Sequence, residues 1–516
     1  MRHTETTMRR AVLVLACALS VASCSKKDEA PAAPVGIAWV QAAGDAEVDA
    51  AFARAKAEGK PVFVYWGAQW CPPCNQLKAT LFNRQDFIER SRAFVPVYVD
   101  GDAPGAQKLG TRFAVRGYPT TVVFGRDGRE LTRLPGEVDA QQYNEVLALA
   151  LAAQRPAREL LAAARAGGQG LSDADWRLLA WYSWETDQQQ LAADKDGPAA
   201  LLRELARNCP SGSADAALRL RLKALAAEGE KGVVADAAAQ RPVVSALLAD
   251  AAQARRHVDV LAGSAKEIVA ALAAPDAPER AALVSAFDAA LATLQADATL
   301  SRADRLVALA ARVQIAGPDA LPPLQADARE MAARFDREIS DGYERQAVIT
   351  TAAWVLEQAG LIDDSDALLK ANLARSHSPY YLMSDLADNA KKRGDTAAAI
   401  DWSAQAFEKS EGAATRLQWG AGYLRTLVEL APQDAARIEA LAARLIDEAA
   451  AQPDAFEARS GRAMQRIGKL LRDWDPMGER AAVLQRLHRR LDAVCLKLPA
   501  GGEARGVCEG TLKLSA

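Results

Sequence analysis

The chain is short of aromatic residues, of histidine, of net charge and of long apolar runs. Aromatic residues make up 6% of its 516 positions, while alanine is abundant along most of its length. Alanine is the strongest helix former and a poor strand residue, so most of the chain is expected to be helical. Basic and acidic residues number 63 and 66 and leave a net charge of −3, which gives no electrostatic basis for nucleic-acid binding. No later stretch is long and apolar enough to span a bilayer. With 50% apolar and 25% charged residues the chain is excluded from the wholly disordered class, and its length calls for more than one domain.

What is there begins with a targeting pattern. Arg9 and Arg10 form a basic segment, with Met8 offering an alternative start, and Ala11 to Val21 form an apolar run too short to span a membrane as a helix. This is the layout of an export signal. Val21-Ala22-Ser23-Cys24 resembles the lipobox of bacterial lipoproteins. The resemblance implies removal of residues 1–23, acylation of Cys24, and a charged, Ala/Pro-rich tether over residues 24–39 that leaves the rest of the protein soluble beside a membrane. Ser25 stands where an Asp would mark inner-membrane retention in that family, which leans the expectation toward the outer membrane.

The seven cysteines are Cys17, Cys24, Cys71, Cys74, Cys209, Cys495 and Cys508. Cys17 lies in the apolar run that export discards. An exported protein can keep disulfides. Cys495 and Cys508 flank a short Gly/Pro loop and are expected to form a structural disulfide, which stabilises by roughly 3 kcal/mol through loop-closure entropy. Cys209 is left over and is expected to be a buried free thiol.

Residues 40–155 differ in texture from the remainder. Val48 to Glu58 has an amphipathic helical pattern. Pro61-Val62-Phe63-Val64-Tyr65-Trp66 is nearly continuous in apolar residues, as a strand buried on both faces should be. Gly67-Ala68-Gln69-Trp70-Cys71-Pro72-Pro73-Cys74 follows, and a helix is expected over 75–82. A second strand is expected at 94–99, a helix at 104–113, a third strand at 122–124, a hairpin turn at Arg126-Asp127-Gly128, a fourth strand at 130–134 and a closing helix at 141–153. This order predicts an α/β domain with a mixed sheet and helices on both faces.

The domain resembles thioredoxin. The resemblance rests on Trp66, on Trp70-Cys71-Pro72-Pro73-Cys74 after a buried strand, and on Tyr118-Pro119-Thr120 ahead of a hairpin. It implies a redox disulfide between Cys71 and Cys74, the catalytic pair, a cis Pro119, and substrate contacts from Trp70, Tyr118, Pro119 and Thr120. Zinc would need four ligands, and none of His3, His257, His377 and His488 falls in this module, so no metal and no other cofactor is expected. Cys71 at the start of a helix is expected to be the exposed nucleophile, its thiolate favoured by the helix terminus, with Cys74 buried as the resolving thiol. Pro72 and Pro73 have no N–H to offer, so mainly the Cys74 amide faces the Cys71 sulfur. That predicts a moderately acidic thiol nearer the reductase end of the family than the oxidase end. The buried Asp that thioredoxins usually carry six residues before the first cysteine is replaced by Tyr65, and the accompanying Lys is missing where Val95-Pro96-Val97 stands.

After Arg155 no strand is expected. Leu283, Phe287, Leu291 and Leu294 fall on one helical face, Pro278 sits just inside a helix start, and Ser301-Arg302-Ala303-Asp304 has the form of a capping box. Trp176, Trp181 and Trp184 are read as core residues, and Arg486, Arg489 and Arg490 as a solvated helix face. Residues 156–350 are assigned to an α-helical region. Over 351–516 the spacing of Gly360 and Gly394, with Ala399-Ile400, Trp402 and Ala406-Phe407 after the second, resembles the tetratricopeptide pattern of helical hairpins, which implies a concave surface for a protein partner.

Together these readings predict a lipid-anchored, periplasm-facing thiol-disulfide oxidoreductase of the bacterial envelope. Its substrates would be exported proteins with cysteines, and a membrane electron donor would recharge it. The competing reading is a helical-repeat scaffold lipoprotein whose thioredoxin-like module is a docking unit.

Overall fold

The computed structural model describes residues 36–513, apart from positions 137, 185, 187–190, 192–196 and 230. The export signal, Cys24 and the tether up to residue 35 lie outside the described residues. The N-terminal domain runs β1 (Val40–Ala42), α1 (Asp45–Glu58), β2 (Val62–Gly67), α2 (Pro72–Thr80), α3 (Gln85–Arg90), β3 (Val95–Asp100), α4 (Ala106–Arg112), β4 (Thr120–Phe124), β5 (Glu130–Leu134) and α5 (Ala140–Ala152). The sheet has five strands in the order β1-β3-β2-β4-β5. The two pairs involving β3 are parallel; β2–β4 and β4–β5 are antiparallel. The sequence reading expected four strands. The fifth, β1, is only three residues long and shows no alternation, yet it completes the parallel edge beside β3. Pro96 fits within β3 because β1 begins to pair only at Val97, so no ladder bond is asked of the missing N–H on that side.

Strand periodicity divides the core. Val62, Val64 and Trp66 of β2 pack with Val48, Ala51 and Ala55 of α1 and with Leu109 of α4. Phe63 and Tyr65 point to the other face, against Leu77, Phe87, Tyr143 and Leu147. Full burial of a side chain such as Phe63 contributes about 1.5–3 kcal/mol. This second core does not end at Arg155. It continues without a break through Leu160, Trp176, Trp181, Trp184 and Leu201, so the first helices of the C-terminal region are part of the same packing unit. From Gly36 onward the chain packs as one unit.

Among the described residues no strand follows β5. The helix Pro278–Ala296 starts on its proline and buries Leu283, Phe287, Leu291 and Leu294. In the helix Arg302–Ile315 the Ser301 hydroxyl accepts from the Asp304 N–H at 3.0 Å. The helix Gly342–Gln358 runs across position 351, so the two helical segments of the sequence reading meet inside one element. Gly360 (φ 76°) and Gly394 (φ 75°) make the turns of two successive hairpins, Gly342–Gln358 with Ile362–Asn372 and Pro379–Lys392 with Thr396–Lys409. Cys495 and Cys508 form a disulfide with Cα atoms 5.6 Å apart, tying the helix Ala481–Cys495 to the helix Glu503–Thr511. Cys209 is free and half-buried, its Sγ 3.5 Å from the Ser213 carbonyl. Arg486 and Arg490 lie exposed and pair with Glu439 and Asp447. No helix among the described residues is long and apolar enough to cross a membrane.

Candidate active site

The fully buried strand β2 delivers the chain to a short turn, and the turn delivers it to α2. Pro72 occupies the first position of α2, where a missing N–H costs nothing. Cys71 is the N-cap. Its Sγ accepts from the Cys74 N–H at 3.3 Å, so the Cys74 backbone supplies the hydrogen bond that a Cys71 thiolate would need. Cys71 and Cys74 form a disulfide with Cα atoms 5.2 Å apart. Asn75 fixes the turn: its Nδ2 donates to the carbonyls of Gln69 (2.7 Å) and Cys71 (2.9 Å). The Tyr118–Pro119 peptide is cis, and Tyr118 packs against the cluster that holds Trp70, Cys71 and Cys74. Thr120 begins β4 and turns its hydroxyl back to the Gly117 carbonyl at 2.8 Å.

Tyr65 stands where the thioredoxin resemblance calls for an acid. It is buried, its hydroxyl has no hydrogen-bond partner among the described residues, and burial pushes its pKa well above the ordinary phenol value. It offers no base for Cys74 at neutral pH. Among the described residues no group of three or more His, Cys, Asp or Glu side chains is placed to hold a metal ion.

Cys71 departs from the sequence expectation. It is 2% exposed and Cys74 is 0% exposed. The cause is the helical region, which closes over the redox turn. Tyr380, Met383 and Ala406 share a buried cluster with the two cysteines, with Tyr381, Trp402 and Trp419 packed around it. Trp70 sits 5.1 Å from the Trp419 ring and 6.1 Å from that of Tyr381, and its carbonyl accepts from Gln346 Nε2 at 3.5 Å. Pro119 and Thr120 are buried as well.

The closed face is held by helix caps exchanged between the two regions. The Thr415 N–H, in the first turn of the helix Ala413–Leu430, donates to Asp102 Oδ1 at 2.7 Å. The Thr415 hydroxyl donates to Asp102 Oδ2 and accepts from Trp70 Nε1, both at 2.6 Å. Gly412, at φ 88°, leaves room for that carboxylate, since a Cβ there would collide with it. In return Asp454 accepts from the Gln107 N–H at 2.9 Å in the first turn of α4. The Gln107 side chain accepts from the N–H groups of Arg459 (3.0 Å) and Ser460 (3.3 Å) at the start of the helix Ala458–Trp474. Each carboxylate or amide satisfies N–H groups that a helix start leaves open. Burial raises the Asp102 pKa to about 6 against the lowering effect of its Thr415 bonds. No local pattern marks Asp102, Gln107, Thr415 or Asp454, because each works on a partner more than 300 positions away.

A family model described as a thioredoxin-like domain matches residues 48–151. The N-terminal domain is thioredoxin-like. It carries the Cys71–Cys74 disulfide at the start of its second helix. "Thiol:disulfide interchange protein DsbD 2" of Pseudomonas aeruginosa is 30% identical over 126 residues, or 24% of this chain and 22% of that protein. "Thiol:disulfide interchange protein DsbD" of Klebsiella pneumoniae is 29% identical over 146 residues, or 27% of this chain and 24% of that protein. The chain thus spans about a quarter of the length of these curated relatives. A solved structure of the DsbH oxidoreductase matches at 21% identity with a TM-score of 0.20, covering 25% of this chain and 96% of that one.

Proposed function

We propose that this protein exchanges thiols and disulfides with cysteine-bearing exported proteins of the bacterial envelope, through Cys71 as nucleophile and Cys74 as resolving thiol. The observation that carries the reading is the Cys71–Cys74 disulfide at the N-terminus of α2, with the Cys74 N–H directed at the Cys71 sulfur. In the reduced protein the Cys71 thiolate attacks a substrate disulfide, forms a mixed disulfide and expels one substrate thiolate. Cys74 then attacks the Cys71 sulfur and releases the second substrate thiol, leaving the Cys71–Cys74 disulfide. Trp70, Tyr118, Pro119 and Thr120 form the edge on which the substrate segment docks. Since two prolines separate the cysteines and one amide faces the nucleophilic sulfur, the thiol is only moderately acidic, and the reductase direction is favoured over the oxidase direction. A reductase in an oxidising compartment needs a membrane electron donor, and the relatives named above are thiol:disulfide interchange proteins. We place the protein on a lipid anchor at Cys24, facing the periplasm and leaning to the outer membrane, from the residues around that cysteine.

Burial of both sulfurs adds a condition: the helical face must part from the redox turn before a protein substrate can reach Cys71. The same burial favours a second reading, in which the helical region, with its tetratricopeptide-like hairpins, is a scaffold for a protein partner and the thioredoxin-like domain is its docked, silent end. A Cys74→Ser trap separates the two. The first reading expects covalent adducts of exported proteins that dithiothreitol releases and that vanish in Cys71→Ser/Cys74→Ser; an absence of adducts from envelope extracts favours the scaffold.

A further inference from the structure

A cavity of about 650 Å³ lies beside the redox turn, with Trp70 and Trp419 in its wall. That volume falls in the range of small-molecule sites, roughly 300–1,000 Å³. Five arginines line it: Arg116, Arg425, Arg459, Arg462 and Arg466. Three of these, with Lys469, recur at spacings of three and four along the helix Ala458–Trp474, so like charges are stacked on one face, an arrangement that destabilises a helix unless something offsets it. Lys469 is neutralised by Asp473 within the cavity wall. Arg425 and Arg466 are exposed and make neither a hydrogen bond nor an ion pair with any described residue, though Arg425 lies close enough to act on Asp388 and Arg466. Burial and then the neighbouring guanidiniums of Arg116, Arg459 and Arg466 hold the Arg462 pKa below its ordinary value.

The lining also carries Asp385 and Asp388 on the helix Pro379–Lys392, with the Arg425 guanidinium acting on Asp388. Neither carboxyl has a hydrogen bond or ion pair among the described residues; Asp385 is half-buried and Asp388 exposed, and partial desolvation raises the pKa of both against the pull of Lys392 and, at Asp388, Arg425. The cavity therefore offers forked donors for carboxylates in excess, together with two carboxyls that can accept from an ammonium. Arg459 joins it to the redox turn, its guanidinium lying 5.0 Å from the rings of both Trp70 and Tyr118 and its Nε donating to Gln418 at 2.6 Å.

We propose that this cavity is a binding site for a short acidic peptide or amino-acid derivative that carries at least two carboxylates and a free ammonium. The carboxylates pair with the guanidiniums of Arg425, Arg462 and Arg466, and the ammonium with Asp385 and Asp388. The site does not depend on thiol exchange, so its test is independent of the proposed activity.

Calorimetric titration of the full chain with the dipeptide diglutamate at low ionic strength is the test. The expected result is saturation at one site, at least tenfold weaker binding in Arg425→Ala/Arg466→Ala, weaker binding of N-acetyldiglutamate than of the free-amine form, and unchanged binding in Cys71→Ser/Cys74→Ser. Because Arg425 and Arg466 are exposed and make no hydrogen bond with any described residue, the double variant should keep its circular dichroism spectrum and melting temperature, which shows that lost binding is not lost folding. Absence of saturation, equal affinity in the double-arginine variant, or equal affinity for the acetylated dipeptide would overturn the proposal.

Discussion

Replacing Thr415 by Val should unmask Cys71. The substitution keeps the shape of the side chain and removes the hydroxyl that accepts from Trp70 Nε1 and donates to Asp102, each at 2.6 Å. The bond to Asp102 is charge-assisted when that carboxyl is ionised and is then worth about 1.5–3 kcal/mol; the bond from Trp70 is worth about 0.5–1.5 kcal/mol. Since the Thr415 N–H still reaches Asp102 at 2.7 Å, the helix start stays capped and the loss falls on the contact between the two regions. A net weakening of about 2–4 kcal/mol raises the open fraction at least about 30-fold, at tenfold per 1.4 kcal/mol. Alkylation of the dithiothreitol-reduced protein by iodoacetamide at neutral pH, followed by mass spectrometry of the peptide containing Cys71, reads this directly. The expected rate increase is of that order, with circular dichroism unchanged. A Cys71 rate within twofold of the parent, in a variant whose melting temperature has fallen, would show that the closed face does not gate the sulfur.

Asp102 also makes stability depend on pH. Its folded pKa of about 6 lies above the ordinary carboxylate value, so its contribution is fully present below about pH 4 and is lost as pH rises through 6. The melting-temperature advantage of the parent over Asp102→Asn should shrink between pH 4 and 7. Taking this difference cancels the opposing effect of His257, whose pKa burial lowers to about 4. Cys495→Ser/Cys508→Ser should lose roughly 3 kcal/mol in urea unfolding, from restored loop entropy, with the Cys71 alkylation rate untouched. Cys209, whose pKa burial pushes up to about 11, should alkylate at pH 8 far more slowly than free cysteine.

The parts of this fold that could be read from sequence are those set by neighbours in the chain. β2 was legible because a strand buried on both faces is a continuous apolar run, and Cys71 and Cys74 because one helical turn brings them together. β1 was missed because Val40–Ala42 has too few residues for a period to show, and α3 because Gln85–Arg90 is a short polar stretch whose buried anchor is Phe87. The exposure of Cys71 was misjudged for a different reason. A lone thioredoxin-like domain leaves that sulfur at its surface; here Trp70 meets Thr415, 345 positions later, and no property of residues near Cys71 announces the cover. Asp102 and Gln107 looked like ordinary loop and helix residues until the helix starts they cap came into contact with them.

The proposed function requires Cys71 and Cys74 to form a reversible redox pair. Equilibrating the full chain across dithiothreitol redox buffers, quenching with an alkylating maleimide and reading the mass of the peptide that spans both residues tests it most directly. A reversible pair gives a single two-electron transition in which both cysteines change together, lost in Cys71→Ser and in Cys74→Ser. A disulfide that stays closed at every potential short of unfolding, or two cysteines that titrate independently, would contradict it.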